Sequence, residues 1–103
     1  MKEQKKSPEQ VAAVLKRRYR EPFGGKKTGK YRFSRRALLV ISGCGALREA
    51  FVEELKGCLL DLDYYLLDLR NTDARSDFAL VSVGFINNLR PLTKKDYLDD
   101  AHR

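Results

Sequence analysis

Gly24 to Lys30 has the G-x-x-x-x-G-K spacing with which a phosphate-binding loop surrounds an anion with backbone N–H groups. That chemistry needs Ser or Thr at the next position to hold magnesium, and a strand leading into the loop. Here Tyr31 follows and a helical pattern precedes, so a basic, glycine-bearing loop accounts for the spacing. Glu54-Leu55-Lys56 has the E-x-K form of metal-dependent nucleases, but no Asp precedes Asp61 and the triplet falls in a helical pattern. An oxygen-ligand metal site needs converging carboxylates. Asp61, Asp63 and Asp68 lie close in sequence but lack the glycine and terminal Glu of a calcium loop.

The remaining reactive side chains are few. His102 is the only histidine and sits one residue from the end, where a general base would be poorly held. Cys44, Cys58 and His102 fall short of the four close ligands of a structural zinc site. Cys44 lies between glycines before a helix, a setting that can lower a thiol pKa, but with no histidine to partner it, packing is the favoured role. Tyr64, Tyr65, Phe78 and Phe85 resemble base-stacking strand aromatics, yet alternation puts Tyr64 and Tyr65 on opposite faces, so core packing and cross-strand pairing suit them better. The expectation is a non-enzymatic chain without cofactor or metal.

Charge is the stronger signal. Residues 1–36 hold 13 Lys and Arg against 3 acidic residues, while residues 37–103 hold 8 against 11. A basic segment ahead of a more acidic, apolar one suggests a polyanion partner, nucleic acid first. Lys26, Lys27, Lys30, Tyr31, Arg32, Arg35 and Arg36 form a basic run with an interleaved aromatic, and Lys16, Arg17, Arg18 and Arg20 lie just before it. Together they would release several counterions on binding a nucleic acid. Arg35 and Arg36 fall in the first turn of a helix, where cations oppose its positive end. An anion seated there would offset that cost.

The elements that must position these residues follow from local signals. The first six residues are charged and without an apolar anchor, which predicts disorder. Ser7-Pro8-Glu9-Gln10 is a helix start with a capping box. Val11, Val14, Leu15 and Tyr19 share one face of that helix, and Pro22 ends it. Phe23 to Phe33 is a mobile loop outside the core. Ser34 caps a second helix over Arg35 to Ser42, apolar nearly all round and therefore central. Gly43-Cys44-Gly45 breaks it. A third helix runs from Ala46 to about Asp61, although Gly57 weakens it by about 1 kcal/mol relative to Ala. Two strands follow, Tyr64–Leu69 and Phe78–Ile86, with a polar tip over Arg70 to Asp77. Thr93, with Asp96 three residues on, caps a last helix over Lys94 to Ala101.

The helix pair within Ser34–Leu62, broken at Gly43-Cys44-Gly45, and the strand pair Tyr64–Ile86 resemble the winged helix-turn-helix family. The resemblance implies an α+β fold: a three-helix core with a C-terminal β-hairpin wing behind a basic N-terminal helix and arm. It divides the chain into residues 1–33, the helix and arm, and 34–103, the core. It also implies duplex DNA binding, with the third helix in the major groove and the wing on the backbone. The third helix is ill suited to that role, since Arg48 and Lys56 share its outward face with Glu49, Glu53 and Glu54. The arm is the better surface, with Arg48 offering base contact from the first turn of the third helix and Arg32 from a minor groove. Arg70, Asn71 and Arg75 at the wing tip would meet backbone, although Asp73 and Asp77 oppose close approach there.

The expected nucleic-acid-binding set is therefore Arg17, Arg18, Arg20, Lys26, Lys27, Lys30, Tyr31, Arg32, Arg35, Arg36, Arg48 and Arg75. The expected role is a small regulator or accessory factor that acts by occupying duplex DNA. Two alternatives stay open: an interaction module or inhibitor that docks a basic partner on Glu49, Glu53 and Glu54, and an RNA-binding protein. No apolar run approaches the roughly 18 residues of a membrane span, and the start shows no secretory signal, so the expected compartment is the cytoplasm. Leucine-rich Leu59–Leu69 exceeds what one small core can bury and points to a homodimer.

Overall fold

Ser7 begins the fold by closing a capping box. Its hydroxyl accepts from the Gln10 N–H while the Gln10 side chain accepts from the Ser7 N–H. The helix that follows is α1 (Pro8–Arg20), in a computed structural model that describes residues 5–25 and 28–103. The chain continues as β1 (Tyr31–Phe33), α2 (Arg35–Ser42), α3 (Glu49–Asp61), β2 (Tyr64–Asp68), β3 (Phe78–Ser82), α4 (Val83–Asn87) and α5 (Lys94–Ala101). The fold class is α+β, with five helices and a three-stranded antiparallel sheet in the order β1-β3-β2 among the described residues.

The core lies between the helices and one sheet face. Val11, Ala12 and Leu15 of α1, Leu38 of α2, and Val52, Leu55 and Leu59 of α3 are buried against Tyr64, Leu66, Phe78 and Leu80. Each of the Val, Leu and Phe side chains among them contributes about 1.5–3 kcal/mol on burial. Residues of the segment 1–33 thus share one core with residues 34–103. Leu66 and Leu80 pair across the hairpin and Leu80 pairs with Tyr31, so one row of the sheet faces the helices. On the neighbouring row Arg32, Ala79 and Leu67 face away.

Several sequence expectations need correction. Tyr31–Phe33 is a strand rather than loop, and Tyr31 and Phe33 pack against the core. Its pairing with β3 is non-local, so no hairpin signal announces it. The strand expected over Phe78–Ile86 stops at Ser82. Ser82 pairs with Tyr64, the first residue of β2, so there is no partner strand beyond it. The Ser82 hydroxyl instead accepts from the Phe85 N–H and starts α4. The partner strand ends at Asp68 rather than Leu69. The third helix starts at Glu49, not Ala46, with Arg48 at its N-cap.

α2 is less central than its composition suggests. Leu38 is buried, but Val40 is exposed. Its end is secured by the N-terminal segment: the Lys6 N–H donates to Ser42 O and Lys6 Nζ to Ile41 O, both at 2.8 Å. Lys6 is therefore anchored, not disordered, and its charge suits a helix C-terminus. Gly43 closes α2 at φ 71°, a left-handed conformation that favours glycine. Among the described residues no helix is long and apolar enough to cross a membrane.

Candidate nucleic-acid interface

The basic residues separate into those engaged within the chain and those left to solvent. Arg17 and Arg18 share one carboxylate, Glu21, at 3.6 and 3.7 Å. Arg18 also lies over the Phe23 ring, 5.4 Å from its centroid. Lys30 lies over Phe85 at 4.7 Å. Arg20, Lys30, Arg32, Arg35, Arg36 and Arg75 are exposed and make no ion pair among the described residues. Lys26 and Lys27 lie outside the described residues.

Three elements bring the free arginines together. Arg32 on β1 donates to the Ser76 hydroxyl at 3.0 Å, which holds the strand to the end of the β2–β3 loop. One residue on, Asp77 accepts from the Arg35 N–H at 2.6 Å. Ser34 caps the same helix from its own hydroxyl, accepting from the Ala37 N–H. The segments that carry Arg32, Arg35, Arg36 and Arg75 therefore meet where β1, the start of α2 and the β2–β3 loop are tied together, and all four residues are exposed. The anion expected at the α2 N-terminus is supplied from within the chain, by Asp77.

Tyr31 is placed differently from the other predicted residues. Its hydroxyl donates to Leu15 O at 2.8 Å, and its ring packs against Tyr19, Phe23 and Phe33. Burial pushes its pKa well above the ordinary value, against a smaller opposing effect of Arg18, so it stays a proton donor. Beside it, Phe23, Thr28, Lys30, Arg32, Ala79 and Val81 are among the residues lining a cleft of about 590 Å³ between the glycine-bearing loop and the outward sheet face. Phe23 is a contributor that charge counting missed. A lone aromatic before two glycines carries no signal until β1 folds against it.

Arg48 stands apart. It is exposed at the α3 N-cap and makes no side-chain capping bond; with Lys5 and Phe51 it lines a separate hollow of about 330 Å³. Arg70, after β2, is not free for an outside contact. Its guanidinium bonds Asp68 at 2.7 and 2.9 Å and Glu49 at 2.9 Å, and it lies 5.2 Å from the Phe78 ring centroid. Those bonds raise its own pKa, and they hold the Asp68 carboxyl at about 2, below its ordinary 3.8. Asn71 and Arg75 remain exposed.

The outward face of α3 is acidic. Glu53 meets Lys56 at 3.3 Å, Glu49 meets Arg70, and Glu54 is exposed. The Cys58 thiol is pushed up, mainly by burial and further by Glu9, which keeps it protonated. Among the described residues no three His, Cys, Asp or Glu side chains gather to hold a metal ion. The geometry offers an exposed arginine cluster beside an aromatic-edged cleft, an arrangement able to contact phosphates. Comparison with models of known families, with curated proteins and with solved structures finds no match to this chain.

Proposed function

We propose that the chain is a small winged-helix protein that binds duplex DNA and acts by occupying it, as a regulator or accessory factor. The observation that carries this reading is the junction of β1, α2 and the β2–β3 loop, whose segments carry the exposed Arg32, Arg35, Arg36 and Arg75, none of them in a side-chain ion pair among the described residues. The element order α1-β1-α2-α3-β2-β3, with β3 between the other strands, supports it as a matter of layout. On this reading the arginine junction meets the phosphate backbone and supplies affinity and register. Arg20, Arg17 and Arg18 extend the surface, and Arg48 provides a second point of approach. The acidic α3 face stays clear of phosphates, so docking runs through β1 and the start of α2.

The experiment that tests it is a fluorescence-anisotropy titration against duplex DNA, duplex RNA and single strands at two salt concentrations. Tight, salt-sensitive binding that prefers duplex DNA is the expected result. Preference for RNA would overturn the DNA assignment while leaving the basic surface in use. No binding at low salt would overturn the reading altogether. A second reading, a protein partner on α3, has its own observation: Glu53, Glu54 and Leu60 are exposed together on that helix.

A further inference from the structure

The two edges of the sheet differ in how they are protected. β1 is three residues long with Arg32 at its centre, and a short edge strand bearing a charge resists pairing with another chain. β2, at the opposite edge, runs Tyr64-Tyr65-Leu66-Leu67-Asp68, without Lys, Arg or Pro, and pairs with β3 in unbroken register. An edge without those devices offers its unpaired main-chain donors and acceptors to another strand.

The bonds at the ends of the β2–β3 ladder identify those groups. The Leu69 N–H donates to Asp77 O at 2.8 Å and the Val83 N–H to Asp63 O at 2.9 Å. In an antiparallel pair, bonded positions recur at every second residue. Tyr65 and Leu67 therefore turn their main chain to β3, and Tyr64, Leu66 and Asp68 turn theirs to the open edge. Among the described residues no turn, cap or loop main chain bonds these three, and the bonds at Asp68 engage only its carboxylate. Asp68 is exposed while its side chain is only 28% exposed, so that exposure lies on its main chain. On the outward sheet face Tyr65 and Leu67 are exposed beside the same edge.

Unpaired donors and acceptors at this spacing are met by a strand, and β2 is complementary to itself. A second β2 laid antiparallel and centred on Leu66 sets Leu66 against the partner's Leu66, and Tyr64 against the partner's Asp68. In that register Tyr64, Leu66 and Asp68 each give one main-chain bond and accept one. A shift by one residue faces bonding positions with non-bonding ones, and a shift by two leaves bonding positions unmatched. Tyr65 then lies opposite the partner's Leu67, at the positions where cross-strand side chains come closest. The exposed apolar side chains meet, and no like charges lie opposite each other within the strands.

From this geometry we infer that β2 pairs antiparallel with β2 of a second copy of the chain across a two-fold axis, making one continuous sheet. Two five-residue strands bury less than the roughly 1,600 Å² of a standard interface. The dimer is accordingly weak and dissociates on dilution. Arg32 on β1 lies at the other edge of the sheet, so the pairing leaves it uncovered.

Sedimentation equilibrium of the full chain over a roughly hundredfold concentration range, with amide hydrogen exchange at both ends of that range, tests this. The wild type should show a reversible monomer–dimer equilibrium. The Tyr64, Leu66 and Asp68 amides should exchange more slowly in the concentrated sample, while those of Tyr65 and Leu67, already bonded to β3, should change least. Y65K/L67K and Y65E/L67E each set like charges opposite one another and should weaken self-association at least about tenfold. Y65K/L67E sets opposite charges across the axis and should still dimerise, and an equimolar mixture of Y65K/L67K with Y65E/L67E should form heterodimers. Both positions are exposed, and circular dichroism checks the fold of each variant. A wild type that stays monomeric throughout overturns the inference. So does association without added protection of the Leu66 amide, or association that Y65K/L67K leaves unchanged. Loss of pairing in Y65K/L67E equal to that in Y65K/L67K would overturn the antiparallel register.

Discussion

Changing Arg32, Arg35 and Arg36 together to Ala should remove most of the affinity for DNA and leave the fold intact. All three are exposed, and none has an acidic partner among the described residues. Each arginine that meets a phosphate adds about 0.9 to the slope of log K against log salt, which at ~0.1 M salt is worth about 1.2 kcal/mol, or roughly eightfold. Three contacts give a loss of up to about 500-fold and a slope shallower by about 2.7. The fold should tolerate the change, although Arg32→Ala gives up the exposed bond to Ser76. The Arg35 bond to Asp77 uses the backbone N–H, which Ala retains, and two cations leave the positive end of α2. Ala also has the highest helix propensity. Arg17→Ala is the internal comparison, expected to cost less because Glu21 already offsets Arg17 and Arg18. Anisotropy titrations at four or five salt concentrations give the slope, and circular dichroism checks the fold. A folded triple variant with affinity changed less than about twofold would refute the assignment of this junction.

Three further outcomes follow from the same geometry. Tyr31→Phe should cost about 1 kcal/mol in urea denaturation by removing the bond to Leu15 O, and should leave the salt slope of DNA binding unchanged. Glu53→Lys with Glu54→Lys should strengthen DNA binding or leave it unchanged, and should abolish binding if α3 docks a basic protein; Glu49 is left in place because it pairs with Arg70. Arg70→Met should lower stability at pH 7 by about 1 kcal/mol, a figure reduced for partial exposure. Asp68 is held at about 2 in the folded state, so its contribution is present above its ordinary 3.8 and is lost as pH falls toward 2. The variant should therefore show a smaller loss of stability than the wild type over that window, measured by urea denaturation at several pH values.

Local chemistry made the starts of α1, α2 and α5 legible, but not those of α3 and α4. Ser7 with Gln10, Ser34, and Thr93 with Asp96 each cap the helix their positions announce, and Gly43 ends α2. These signals lie within a few residues of the backbone groups they satisfy. Pairings between distant residues were not legible. β1 is held to β3 across more than forty residues of chain, and nothing in Tyr31-Arg32-Phe33 marks it as a strand apart from its aromatics. The charge count misjudged the β2–β3 loop for the same reason. Arg70 stands in a polar tip in sequence, but it is bonded to Glu49 on α3 in the fold. Leu59–Leu69 divides likewise: Leu59 and Leu66 are buried, while Leu60, Tyr65 and Leu67 are exposed.

The start of α2 shows how such a pairing changes the functional argument. Two arginines in a first turn without an acidic residue imply an external anion, and a phosphate on the helix N-terminus would be one. The fold answers with Asp77, whose carboxylate reaches the Arg35 N–H from the far end of the hairpin loop. A phosphate brought to that N–H would have to displace a carboxylate of the same sign. DNA approaching this junction should therefore be met by the guanidinium groups of Arg32, Arg35, Arg36 and Arg75 and not by the helix backbone. Asp77 then has two effects on the surface. It tethers the end of the β2–β3 loop to α2, beside the Arg32–Ser76 bond, and it keeps the helix end occupied so that affinity rests on side-chain charge. This is why the triple arginine change, which leaves every backbone donor of α2 in place, discriminates between phosphate contact through side chains and capture at the helix end.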